Sequence, residues 1–393
     1  MRIILYEMKK IWNIKLLLII ALVCTLFYLI FMDFCIRVFP NGHSQTEEVD
    51  YSMQMTKLYG ATLEADEFSN FMETQNELIL EVESYIKANP AFSEVGIYSY
   101  ADYEKVYANQ SKTEAEEKAI RTLFGEKYNF VKFKLQALDN IKESYCKYPE
   151  YTLKYFISEA KSEKSIARLN AIKKTEEYRN IMSGWVFENT VTYTVYLAIL
   201  AILAVLIFVS PLIVTDRTNN IHLLQYSAKQ GRRILRKELI AVILSAFLLT
   251  TALILVFGGI YSTNGTFQFW NNGLTSFLNI TPAFFWFDIS YGQYIVNYIV
   301  LLYILCLGTA AIAFLLSRLS QNLITLILKL IPAFAILAAL VFSIFSNTYS
   351  ASNPLNIRTD IIGIEPIVCG LLLIVGLALS LYIVQREKKV DVI

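Results

Sequence analysis

The residue types that commonly perform chemistry are few in this chain and lie far apart. Only two histidines are present, His43 and His222, and the five cysteines show no short repeated spacing. A zinc site needs a cluster of nitrogen and sulfur ligands, so we predict that the chain holds no metal. Three acids, Glu188, Asp288 and Glu365, stand at the predicted outer ends of separate apolar runs, where carboxylates are usually solvated. They give little support for a carboxylate pair acting as general acid and base.

The motifs of several enzyme classes are absent from the sequence. No G-x-x-x-x-G-K-[ST] occurs, and without this phosphate-binding loop we expect the chain not to hydrolyse ATP alone. G-x-S-x-G and H-E-x-x-H are missing as well, which argues against hydrolase and metalloprotease functions. We therefore predict no catalytic residue and no cofactor bound by this chain. A membrane-embedded enzyme is one hypothesis, and it would require polar residues that converge at the membrane face.

The composition indicates a membrane protein. Of the 393 residues, 55% are hydrophobic and 18% are charged, and the mean hydropathy is +0.44. Soluble domains usually carry about 25% charged residues. The net charge of +1 gives no reason to expect nucleic acid as a partner. The charge is also unevenly placed, because residues 33–185 hold 25 acidic and 19 basic side chains.

Six apolar runs are long enough to cross a bilayer as helices, which takes about 20 residues. They cover residues 16–32, 190–214, 239–260, 294–316, 323–345 and 361–384. Lys9, Lys10 and Lys15 precede the first run as they would in a signal peptide, but the run is long and no small-residue cleavage site follows, which favours a retained anchor. The predicted fold class is an all-α integral membrane protein with six transmembrane helices.

Lys329 is the one basic residue inside a predicted span. Its long stem could carry the ammonium group to the near interface, and we favour this interpretation. The alternative is a role in an ion or substrate pathway, because charged residues within spans often mark one.

The orientation follows from the basic residues in short segments. They concentrate before the first span, between spans two and three, at Arg318 between spans four and five, and after span six. An even number of spans places all four segments on one side, which the positive-inside rule makes cytoplasmic. The opposite short loops, 261–293 and 346–360, contain Arg358 as their only lysine or arginine. We therefore predict cytoplasmic N and C termini in a multi-pass plasma-membrane protein.

The boundaries expected from these patterns divide the chain into four parts. Residues 1–15 form a cytoplasmic amphipathic helix, and residues 16–36 form transmembrane helix 1. Residues 37–185 form a mostly helical extracellular domain, since long segments translocate largely regardless of charge. Residues 186–393 contain transmembrane helices 2–6.

Apolar side chains in the extracellular insert recur at helical spacing in two stretches. They are Phe68, Phe71, Leu78, Val82 and Tyr85 in the first, and Phe130, Phe133, Ala137, Ile141 and Tyr145 in the second. Proline at Asn89-Pro90 and Tyr148-Pro149 is expected to interrupt helices. Residues 113–116 fit a capping box, and residues 96–103 are expected to form a loop or a short extended piece.

The insert is rich in tyrosine, and this has two interpretations. Tyr98, Tyr100, Tyr103 and Tyr107 could form an amphipathic surface that recognises an external ligand. The simpler interpretation, which we favour, is that the apolar stripes form the core of the insert.

The loop between spans two and three, residues 215–238, differs from an ordinary connection. Ile221, Leu223, Leu224 and Tyr226 are too many apolar residues for so short a loop to bury, so they are expected to dock on the membrane surface or on a partner protein. The basic residues that follow also bind anionic lipid headgroups, at about 1 kcal/mol each. These basic residues are Arg232, Arg233, Arg236 and Lys237.

Together these features resemble the permease subunits of ABC transporters of the ABC-2 type. Such subunits have an amphipathic N-terminal helix, six spans with both ends inside, and a coupling helix between spans two and three that contacts the ATPase. By this resemblance the coupling loop contains Asp216, Leu223, Leu224, Ser227, Arg232, Arg233 and Lys237. Asn220 stands where the family commonly has glycine, and the insert is larger than in the simplest members, resembling a subset with an external domain after span one.

The resemblance implies an exporter subunit that works with a separate cytoplasmic ATPase, which binds ATP and magnesium. A second permease copy or a related permease completes the dimer, membrane lipids surround it, and the substrate is a peptide, a lipid-linked molecule, a drug or an ion. The alternative is a sensor or mechanotransmitter, in which the insert binds an external ligand and the spans pass the signal to a cytoplasmic partner without transport.

Overall fold

The computed structural model describes residues 2–123, 129–219, 221, 231, 234–280 and 284–387. Over these ranges the chain is mostly helical and has isolated β-bridges but no strand. Six helices are long and apolar enough to span a membrane, which confirms the prediction of a six-helix membrane protein. Spans one to six are Ile14–Met32, Gly184–Thr218, Ile234–Asn264, Tyr291–Arg318, Leu323–Phe345 and Ile364–Arg386.

Local sequence explains where several spans begin. Ser290 and Gln293 form a capping box at the start of span four, and Asn322 with Thr325 forms another at the start of span five. Each box satisfies backbone N–H groups that the first helical turn leaves unpaired. Pro211 opens the last segment of span two, at a position where a missing N–H group is tolerated.

Span two lies at the centre of the bundle. In its most apolar stretch 78% of the residues are buried, against 11% in span one and 17% in span five. Span two contacts spans one, three, four and five. The outer spans therefore turn most of their apolar surface outwards, as expected of helices that face lipid.

Hydrogen bonds of buried hydroxyl groups join the central spans. The Thr190 hydroxyl lies 2.7 Å from the Tyr261 hydroxyl and 3.0 Å from the Tyr291 hydroxyl, which links spans two, three and four. The Tyr298 hydroxyl donates to the Thr194 carbonyl at 2.8 Å. Such bonds hold helices together in lipid, because water is not there to replace them.

Spans four and six are packed closely through small residues. A Cβ atom added at Gly376 would lie 3.1 Å from the Gly308 carbonyl oxygen, and the Ser380 hydroxyl donates to the Ala311 carbonyl at 2.8 Å. Small side chains allow two helix backbones to approach this closely.

The insert between spans one and two is built from helices. They are His43–Tyr59, Ala65–Ala88, Pro90–Ser93, Tyr100–Ala108, Glu114–Leu123, Asn129–Lys147, Leu153–Glu159 and Glu163–Thr175. The predicted capping box is confirmed, since Glu116 N–H donates to the Thr113 hydroxyl and Thr113 N–H donates to the Glu116 carboxylate. Pro90 opens a new helix as predicted. Pro149 was expected to interrupt a helix, but a π-helical turn, Tyr148–Thr152, connects the helix before it to the helix after it.

The tyrosine-rich stretch differs from its prediction. It is irregular at first, but a helix begins at Tyr100 because the Ser99 hydroxyl accepts a hydrogen bond from Asp102 N–H and caps it. Tyr103 is buried in the core of the insert, whereas Tyr98 and Tyr107 are exposed. The stretch thus supplies both core and surface.

The bundle has two distinct ends. At one end, which we call the insert end, the insert packs on the segments after spans three and five. Its Arg168 donates to the Phe285 carbonyl at 2.8 Å, and its Asn180 carbonyl accepts from the Ser276 hydroxyl at 2.6 Å. At the opposite end, called the terminal end, the N-terminal helix Arg2–Ile11 contacts the end of span two, and Glu387 after span six contacts the end of span four. The end of span two also contacts the turn between spans four and five.

Replacing Gly376 by leucine should disrupt the packing of spans four and six. The new side chain meets a backbone carbonyl that cannot move aside, so we expect a loss of about 1–3 kcal/mol in unfolding free energy. Gly370→Leu is the matched control on the same helix, because nothing lies within 4 Å of a Cβ atom there. Thermal unfolding in detergent checks this expectation, and equal melting temperatures for the two variants would contradict it.

Candidate functional site

An ion cluster lies at the terminal end of the bundle. The Lys10 ammonium nitrogen is 2.8 Å from a Glu7 carboxylate oxygen and 2.7 Å from an Asp216 carboxylate oxygen. Both acids are buried, whereas about one third of the Lys10 side chain is exposed. The cluster therefore fastens the N-terminal helix to the end of span two, where the 215–238 loop begins.

The N-terminal helix has one face turned towards the bundle and one turned away from it. Glu7 and Ile11 lie on its buried face, while Leu5 and Tyr6 are exposed. The Asn13 side chain accepts a hydrogen bond from Lys15 N–H and caps span one directly after this helix. The helix packs against the end of span two and against span three.

Glu238 brings a third buried carboxylate to the cluster from the first turns of span three. Oxygens of Glu7, Asp216 and Glu238 all lie within 4.8 Å of one another, a spacing at which three acids could hold a metal ion. Lys10 already places a positive charge against two of them. The arrangement thus has a cation of its own, and the predicted absence of a metal stays a prediction.

Burial and the neighbouring charges shift the pKa values of Glu7 and Lys10 on the N-terminal helix. Burial, reinforced by the charge of Asp216, raises the pKa of Glu7 in spite of the Lys10 ammonium. For Lys10 burial acts to lower the pKa, but hydrogen bonds to Asp216 and Glu7 outweigh it, and the pKa is raised. A raised lysine pKa contributes stability at neutral pH, and this contribution is lost as the pH rises through the folded-state pKa.

A second set of contacts extends from the neighbouring residue. The Arg217 guanidinium donates to the Ser320 carbonyl at 2.6 Å and to the Arg318 carbonyl at 3.2 Å. Arg318 in turn forms an ion pair with Glu387, directly after span six. The base of the 215–238 loop is therefore joined to the turn between spans four and five and, through it, to the end of span six.

The predicted coupling-loop residues are described only in part. Asp216 lies in the ion cluster, and Lys237 lies in the first turn of span three. The remaining predicted residues lie outside the described part of the chain: Asn220, Leu223, Leu224, Ser227, Arg232 and Arg233.

Lys329 was predicted to reach the interface or, alternatively, to line a pathway. Its ammonium group donates to the Leu319 carbonyl at 2.6 Å, ten residues earlier in the chain and just before span five. This contact holds the ammonium group at the turn before span five, and the role of Lys329 at the interface or in a pathway stays a prediction.

Of the three acids that were expected to be solvated, Glu188 and Asp288 are exposed, but Glu365 is buried. The expectation was wrong for Glu365, because Tyr349 N–H donates to its carboxylate at 2.8 Å. The left-handed backbone of Tyr349 belongs to the turn that makes this contact.

Sequence reasoning assigned no role to Glu7, Arg217 or Glu238 beyond charge counting. A signal was nevertheless present, because Glu7 and Glu238 are the acids within otherwise basic segments flanking spans one and three. The groups that these acids meet in the fold are not visible from spacing.

No protein-family model, curated protein or solved structure matches this chain.

Replacing Lys10 by methionine should loosen the terminal end. It leaves the buried acids without their closest cation, and we expect a loss of about 1–3 kcal/mol in unfolding free energy, below the cost for a fully buried pair because Lys10 is partly exposed. Lys9→Met removes the same charge from an exposed neighbouring position and should have little effect. Thermal unfolding in detergent at neutral pH compares the two. A melting temperature for Lys10→Met equal to that of Lys9→Met would contradict the role of the cluster.

Proposed function

We propose that this chain is the membrane subunit of an ATP-driven exporter, with cytoplasmic termini, an extracellular insert and a separately encoded cytoplasmic ATPase. The chain lacks a phosphate-binding loop, so ATP and magnesium bind to the partner ATPase. A second copy or a related permease completes the membrane dimer. The substrate class expected from the resemblance to ABC-2 type permeases is a peptide, a lipid-linked molecule or a drug.

The observation that carries the proposal is the anchoring of the 215–238 loop at its base. Span two reaches Thr218 as one helical rod with a change of segment at Pro211. Asp216 and Arg217 join the end of this rod to the N-terminal helix and to the turn before span five. Force applied to the loop by a partner would reach several spans together, since packed helices transmit displacement rather than absorb it.

The double substitution Leu223→Asp/Leu224→Asp tests the docking surface. By the proposal the two leucines are apolar contacts with the ATPase, and charged side chains in their place would favour water over this contact, so we expect ATPase association to fall by about tenfold or more. The measurement is co-purification of the tagged chain with the ATPase, together with ATPase activity in nanodiscs.

Leu58→Asp/Leu80→Asp is the matched control, because both leucines are exposed on the insert at the other end of the molecule. This variant should retain the ATPase. Unchanged association and activity in the Leu223/Leu224 variant would rule out the proposed docking surface.

The alternative function, a sensor that signals without transport, is favoured by one observation. Phe277 and Phe284, which lie between spans three and four, share a hydrophobic core with Tyr51, Met55 and other residues of the insert. Movement in the insert caused by an external ligand would therefore reach the spans directly.

Transport and signalling are separated by reconstitution of the chain with its ATPase in sealed vesicles. ATP-dependent movement of substrate across the vesicle membrane is the result expected for an exporter. Ligand-stimulated ATP hydrolysis without movement of the ligand would contradict export and support the sensor.

A further inference from the structure

A second site lies at the insert end, where the insert meets the start of span two. A cavity of about 390 Å³ opens there, which is within the usual size range of small-molecule sites. Its walls come from three parts of the chain: the insert, the first turns of span two, and the segment between spans three and four. The cavity is thus formed only when these parts assemble.

The charges lining the cavity are mainly negative. Glu48, Glu143 and Glu188 contribute carboxylates, and Lys147 is the one cationic side chain among the lining residues. Lys147 forms an ion pair with Glu143, four residues earlier on the same helix. The carboxylates of Glu48 and Glu188 remain as an excess of negative charge, which would attract a cation.

The rest of the lining is aromatic and apolar. Trp185 stands in the first turn of span two, and Phe277, Leu278 and Ile280 come from the segment between spans three and four. An indole can contact an organic cation through its face, and apolar neighbours favour a ligand with a hydrophobic part.

Glu48 is a partly buried residue of the cavity wall and lies next to Trp185. Burial raises the pKa of its carboxyl, while a side-chain hydrogen bond with Trp185 acts in the opposite direction. A carboxylate that is poorly solvated gains more from an arriving cation than an exposed one does. The exposed residues Asn140 and Glu143 at the cavity leave a path to it from water.

A close backbone contact shapes the cavity at Gly184. A Cβ atom there would lie 2.7 Å from the Leu278 carbonyl oxygen, so only glycine allows span two to begin this near the opposite wall. This contact fixes the start of span two against Leu278 in the cavity wall.

We propose that this cavity binds an amphiphilic organic cation, with its ammonium or guanidinium group against Glu48 and Glu188 and its apolar part against Trp185 and Ile280. This inference rests on the proposed function, because it names the chemical class of the ligand that the protein would export or sense. Its location at the start of a span suits a ligand that partitions between water and membrane.

Binding of labelled dodecyltrimethylammonium to the full chain in maltoside micelles tests the site without any ATPase. Because no ATPase is present, failure of this test leaves the docking proposal standing, and failure of the docking test leaves the cavity standing. We expect saturable binding that Glu48→Gln/Glu188→Gln weakens by about tenfold through loss of two attractive charges. Glu77→Gln/Glu81→Gln is the matched control, since both acids are exposed on another insert helix and the net charge changes equally. Equal affinities for the two double variants would overturn the proposal.

Lys147→Gln gives a test in the opposite direction, which a misfolded protein cannot imitate. Removing the cation from the wall leaves Glu143 unpaired, so we expect binding of dodecyltrimethylammonium to tighten by about threefold to tenfold. Unchanged or weaker binding would overturn the proposal.

The ammonium headgroup of a lipid could bind in the same way, and a competition experiment with the labelled probe distinguishes a lipid from a free organic cation. Short-chain phosphatidylethanolamine is zwitterionic, and we expect it to displace the probe poorly because its phosphate faces the same carboxylates. Displacement at the same concentration as unlabelled dodecyltrimethylammonium would assign the cavity to a bound lipid and overturn the proposal of a cationic ligand.

Discussion

Buried charges at the end of an apolar bundle need partners of opposite charge. The ion cluster around Lys10 meets this need, and it joins separate elements of the chain. An isolated carboxylate in such a place is costly, so Glu7 and Asp216 pair with the Lys10 ammonium group, and a Glu238 oxygen lies within 4.8 Å of oxygens of both acids. Because Lys10 belongs to the N-terminal helix and Asp216 to span two, this pairing also fixes these two elements to each other. Arg217 extends the same principle to the turn between spans four and five.

The insert end is organised by a different interaction. There the insert and the connections between spans share apolar cores, which are supported by hydrogen bonds such as that from Arg168 to the Phe285 carbonyl. Glu177 also pairs with Arg168, which keeps the guanidinium group satisfied. Apolar packing of this kind joins the insert to the bundle over a broad surface, whereas at the terminal end ion pairs add to the apolar contacts of the N-terminal helix with the core. The two proposed sites reflect this difference: a docking loop anchored by ion pairs, and an open cavity between packed walls.

Much of the frame could be predicted from the sequence. Long apolar runs specify membrane-spanning helices almost by themselves, because in lipid every backbone polar group must be satisfied within the helix. The capping box at Thr113 was predictable for a similar reason, since it depends on residues only three positions apart. The prediction failed at Tyr100, where a serine cap outweighed an irregular composition, and at Glu365, where a turn distant in sequence supplied a hydrogen-bond donor.

The sequence by itself determined the class of protein, the number of spans and the positions of the segments rich in basic residues, because these depend on local composition. Only the tertiary structure decided which charges meet. Lys10 and Asp216 are 206 residues apart, and the cavity walls at Glu48 and Phe277 are more distant still in the chain. Their encounter depends on how the spans pack, which no periodicity or spacing expresses. For that reason the sequence singled out Asp216 and Glu188 as individual residues, but not the side chains that surround each of them in the fold.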